Sequence, residues 1–133
     1  MPGTQVLEMK LTASLLILLV SAAFVQAEAA CPYPQAPQSV PNGGYASKEE
    51  MLAAQQAIKE YRDEVEKKFL PCLDQEKAEA LANLDRNAAN YQEMKTLIES
   101  IHAKRHNAAI DELQAIALRW SEEIKAFNAR NEK

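Results

Sequence analysis

The chain has 133 residues, with 15 basic and 19 acidic side chains and a formal net charge of −4. A mildly acidic surface of mixed sign argues against nucleic acid, which calls for a basic face, and against an anionic membrane surface for the same reason. One tryptophan and three phenylalanines are also too few for a base-stacking platform.

The first element is a secretory leader. LTASLLILLVSAAFV, residues 11–25, is an uncharged apolar run preceded by Lys10 and followed by small residues. Val25-Gln26-Ala27 is a fair cleavage triplet, so residues 1–27 are assigned as a signal peptide; Ala27-Glu28-Ala29 is a second possible site. The run is shorter than the roughly 20 apolar residues of a comfortable membrane span, and no second hydrophobic run follows, so no stable membrane insertion is expected after cleavage. MKLTASLL makes Met9 an alternative start to Met1. Cys31 is a poor lipidation site, because Glu28 stands where a lipobox has an aliphatic residue.

Residues 28–47 form the second element. CPYPQAPQSVPNGGYAS, residues 31–47, is rich in proline and glycine and cannot be a helix. Cys31 and Cys72 are the chain's two cysteines. An even count in an exported chain implies a disulfide, and only one pairing is possible within the chain. In polyproline form, Cys31 to Ser47 spans about 50 Å at about 3.1 Å per residue. Ser47 to Cys72 as a helix spans about 38 Å. An extended strap can therefore turn at Asn42-Gly43-Gly44, run back along the first helix and bond Cys72. It is expected to cover Leu52, Leu70, Ile110 and Leu118. Use of the P-x-x-P segment as a ligand for an aromatic groove is the competing reading, which tethering disfavours.

Residues 48–133 are the helical domain. Ser47 and Glu50 form a capping box. Met51, Ala54, Ile58, Tyr61, Val65, Phe69 and Cys72 then recur at steps of three and four. Pro71 removes an amide donor and clashes one turn back, yet the pattern resumes with Leu73, Ala80, Leu81 and Leu84, which predicts a kinked helix over 48–86. Asn90 with Glu93 resembles a second capping box. The last stripe, from Met94 through Ile98, Ala109, Leu113, Trp120 and Ile124 to Phe127, predicts a helix over 91–130.

Two helices of about 40 residues with a short link fold back antiparallel. A turn centred near residue 89 sets Met51 opposite Phe127, Ile58 opposite Trp120, Phe69 opposite Ala109 and Leu81 opposite Leu97. The expected fold is all-α: a long helical hairpin, kinked near Pro71, with a disulfide-tethered N-terminal strap. A three-helix arrangement broken at Pro71 is the alternative.

C-x-x-P-x-x-P from Cys31, SKEEMLAAQQAIKEY from Ser47, PCLD from Pro71 and RHNAAIDELQAIALRW from Arg105 occur in that order. Over residues 31–130 the chain resembles a set of small uncharacterised exported proteins of proteobacteria. The resemblance implies an exported helical protein with a Cys–Cys pair, in the periplasm or secreted, and implies no activity. Pro71 directly before Cys72 departs from it.

Few residues point to chemistry. His102 and His106 stand at i and i+4 and could share a metal, but Lys104 and Arg105 between them repel a cation and zinc needs a third ligand. Two solvated surface histidines are the plainer expectation, and no metal or cofactor is assigned. Arg105 is the only charge on the stripe of the last helix, so it needs a partner; Asp74 and Glu76 are the nearest acids. Arg105, His106, His102, Asp74 and Glu76 are therefore a candidate polar cluster beside Cys72. The cluster would either bind a small anion or serve only to pair Arg105. No Ser or Cys nucleophile sits with a base, and a narrow hairpin offers little concavity, so the chain is not expected to be an enzyme. The expected function is a non-enzymatic module of the cell envelope, structural or acting on a protein partner, with small-anion or metal binding near Arg105 and His106 as the alternative.

Overall fold

The structure is a computed structural model that describes residues 31–132. The expected signal peptide, residues 28–30 of the strap and Lys133 lie outside the described residues. Helices α1 (Lys48–Glu64), α2 (Leu70–Ala82) and α3 (Tyr91–Asn131) are joined by a π-helical turn (Val65–Phe69) and a link over residues 83–90; no strand occurs among the described residues. α1, the π-helical turn and α2 form one continuous arm, and α3 returns beside it. The molecule is thus the expected helical hairpin.

The capping box opens α1. The Glu50 amide donates to Ser47 Oγ at 3.1 Å, and the Ser47 amide donates to the Glu50 carboxylate at 2.7 Å. The Ser47 amide first, and the Ser47 side chain second, hold the Glu50 carboxyl below the usual carboxylate range.

The disturbance expected at Pro71 lies one turn earlier, where the Leu70 amide bonds back to the Val65 carbonyl. Two physical demands meet there. Pro71 can donate no amide. Tyr61, Val65, Phe69 and Leu73 are all buried at steps of four, and in a plain α-helix such a series drifts by about 40° per step. A single wider turn takes up that drift and keeps the series on one face.

The arm ends at Ala82, short of the expected residue 86. Asn83 closes it, and the Asp85 side chain accepts the Asn87 amide at 2.9 Å. Short Asx side chains compete with helix in this way. The second capping box does not form. No side-chain bond caps at Asn90, and the Tyr91 amide bonds the Ala88 carbonyl at 3.0 Å instead.

The core sits where strap, arm and α3 meet. Cys31, Tyr61, Val65, Phe69, Leu73 and Ala109 form one buried cluster, flanked by half-buried Leu70, Leu113 and Ile116. The Cys31–Cys72 disulfide, with Cα atoms 5.7 Å apart, pins the strap to this level. α2 packs against α3 more closely than α1 does. Beyond the core the strap lies against α3, bonded to Glu112, Glu123 and Arg130. Leu52 and Leu118, which the strap was expected to cover, are 55% and 69% exposed. Leu97, set opposite Leu81, is exposed as well.

Candidate functional site

Three features carry the chemistry of the surface: the strap's attachments, a polar cluster beside the disulfide, and the groove opposite the strap.

The strap is held by bonds that the sequence reading missed. Tyr33 packs edge-on against Phe69, with ring centroids 5.0 Å apart. The hydroxyls of Tyr33 and Tyr61 donate to the same oxygen of Glu112, at 2.6 and 2.9 Å. One carboxylate of α3 thus joins strap and α1. Burial raises both phenol pKa values above the ordinary tyrosine range, and the bonds to Glu112 add to this. Farther along, the Gly43 amide donates to Glu123 at 2.7 Å. Arg130 donates to the carbonyls of Gly44 and Ala46 at 3.2 and 2.6 Å, its guanidinium 5.1 Å from the centre of the Phe127 ring. The missed signal was Tyr61 on an apolar stripe, since a buried phenol calls for a hydrogen-bond partner.

The cluster beside the disulfide contains three of the five residues named from sequence. Arg105 donates to Glu76 through Nη1 and to the Cys31 carbonyl through Nη2, the latter at 3.4 Å. His102 Nε2 lies 3.0 Å from the same Glu76 oxygen, and Nδ1 lies 2.8 Å from the Ile98 carbonyl. His102 is 8% exposed and bonded, which corrects its expectation as a solvated surface residue. The burial follows from α2 lying close on α3 at this level.

Asp74 and His106 stand outside the network. Asp74 is exposed and lies 3.9 Å from Lys77, so of the two acids named for Arg105 only Glu76 turns inward. Half-buried His106 lines a concavity with Leu73, Leu81, Glu99 and Asn107. No group of three or more His, Cys, Asp or Glu side chains among the described residues is placed to hold a metal ion. Arg105 is already engaged by a carboxylate and a carbonyl, so the cluster ties strap, α2 and α3 together.

The third feature is the side of the α1–α3 pair that faces away from the strap. Half-buried Trp120 lines three adjoining concavities there. Their walls include Leu52, Ile58, Leu113, Ile116 and Ile124. All but the exposed Leu52 are stripe residues that the hairpin buries only in part.

Comparison of the chain with protein-family models, with curated proteins and with solved structures returns no match.

Proposed function

We propose that the chain is a non-enzymatic interaction module of an exported, disulfide-forming compartment, and that it works through the α1–α3 face that the strap leaves open. The observation that carries this reading is the asymmetry of the hairpin. One flank is occupied by the strap, held by a disulfide, a shared carboxylate and bonds from Arg130. The other leaves Leu52, Ile58 and Trp120 along one groove. Apolar side chains set among polar and charged ones in a concave groove are what a protein-binding surface presents. The disulfide fits an oxidising compartment such as the periplasm or the secreted space, and no helix among the described residues is long and apolar enough to cross a membrane.

The test is photocrosslinking in the cells that make the protein. A photoreactive residue at Gln55 or Ala117, on the open face, should give a discrete protein adduct. The same residue at Gln38 on the strap or Glu79 on α2 should not. Equal adducts at all four positions, or none at Gln55 and Ala117, would overturn the reading.

A further inference from the structure

We propose that the open α1–α3 groove receives one amphipathic helix of a partner protein, whose apolar stripe is flanked by acidic residues. The proposal rests on the interaction reading above and names the partner's chemistry.

Shape comes first. The groove runs between two antiparallel helices from the level of Lys48 and Phe127 to that of Glu66 and Leu113. That is about 18 residues of helix, or about 27 Å. A trough of this length, walled by side chains from two helices, takes a third helix lying along it, as in helix-in-groove recognition. The guest would complete a bundle that the hairpin leaves open.

Charge selects the guest. The α3 wall offers Leu113, Gln114, Ala117, Trp120 and Ile124, with no charge among them. The α1 wall offers Lys48, Lys59 and Arg62 against one acid, Glu66. The groove is thus basic on one rim in a chain of net charge −4. Arg62 lies 3.8 and 4.0 Å from Asp63 and Glu66, long contacts between largely exposed groups; such pairs are weak, and an incoming carboxylate can displace them.

A second copy is the poorer occupant. In a two-fold contact the same patch meets itself. If α1 lies over its counterpart, Lys48, Lys59 and Arg62 meet like charges, with Asp63 and Glu66 the acids beside Arg62. If α1 lies over the partner's α3, they meet an uncharged stripe. A guest helix with glutamates beside its apolar stripe answers the rim directly.

The test uses the whole disulfide-bonded protein and two synthetic peptides of about 18 residues, the length of the groove. Both carry the same leucine and alanine stripe; one is flanked by Glu, the other by Lys. Trp120 is the only tryptophan, so its emission reads occupancy. The Glu peptide should shift it saturably and bind at least about tenfold tighter than the Lys peptide, and added salt should weaken that binding. Lys59→Glu with Arg62→Glu should reverse the preference, and the milder Lys59→Gln should reduce it; unchanged melting of each variant shows the fold intact.

Equal binding of the two peptides, or no response of Trp120 to either, would overturn the proposal. So would a concentration-dependent dimer that buries Trp120, or a stronger response to anionic lipid vesicles than to the Glu peptide. Open-face crosslinks in cells alongside failed peptides would reject the acidic helix alone; loss of both would reject the interaction reading too.

Discussion

Gly43 of the strap rests directly on the backbone of α3 at Glu123: a Cβ at Gly43 would stand 1.8 Å from the Glu123 carbonyl oxygen. Backbone cannot yield as a side-chain tip can. Gly43→Ala must lift the strap from α3 and break the bond from the Gly43 amide to the Glu123 carboxylate. A loss of about 1–3 kcal/mol is expected, typical of overpacking. Gly44→Ala meets only the Asn42 side chain, at 3.0 Å, and should cost less. Urea unfolding of the two variants checks the order; equal losses would show that the strap does not dock at Glu123.

The disulfide supplies a second prediction. Cys31→Ser and Cys72→Ser remove the same bond, so each should cost about as much as the other and the double variant no more than either. The bond closes a loop over a sequence separation of 41. In the chain-entropy account that is worth about 4 kcal/mol. Chemical denaturation of the three variants gives the comparison, and additive losses would contradict the single shared bond.

Glu76 should matter more than Arg105. Glu76 accepts from Arg105 and lies within bonding distance of His102, so Glu76→Leu leaves two groups without that acceptor, whereas Arg105→Met leaves Glu76 with His102. These side chains keep roughly a third of their surface in water or less, so losses of about 1–2 kcal/mol are expected. The double variant should lose less than the sum of the two singles, as for any pair in contact. A double-mutant cycle in urea measures this, and a coupling of zero would deny the pair.

Alkaline pH should loosen the strap. The folded-state pKa values of Tyr33 and Tyr61 are raised, by burial first and by Glu112 second. A raised phenol keeps its proton in the folded state after the unfolded chain has lost it. Its contribution to stability is therefore complete below the unfolded value of about 10, and declines as pH rises from there through the folded value. Tyr61→Phe removes part of this dependence. Urea midpoints between pH 8 and about 11.5, a range that crosses the unfolded phenol value, should fall more steeply for the native chain than for Tyr61→Phe. Parallel curves would show that Tyr61 does not bond Glu112.

Much of the fold was legible because its signals are local. The stripe from Met51 to Phe69, the Ser47–Glu50 capping box and the proline-rich strap each act within a few residues, and all three are present. The hairpin followed from two long stripes and a short link, and the disulfide from a count of cysteines. The end of α2 and the missing cap at Asn90 were misjudged because the asparagines and Asp85 of the link can make either helix caps or isolated turns; which they make depends on how the two helices approach.

Sequence by itself therefore determined the helices, their hairpin arrangement and the tether. Tertiary structure decided which side of the hairpin the strap takes, that Glu76 and not Asp74 meets Arg105, that His102 is buried, and that Glu112 gathers two tyrosines. The physical reason is geometric. Periodicity locates a residue along a helix and on its apolar stripe, but it does not say which flank of that stripe a third segment will occupy. A strap anchored at Cys72 and at the start of α1 could lie on either flank. Contacts made across about 80 residues, from Glu112 to Tyr33, Glu123 to Gly43 and Arg130 to Ala46, selected one, and so left Trp120 on the open side.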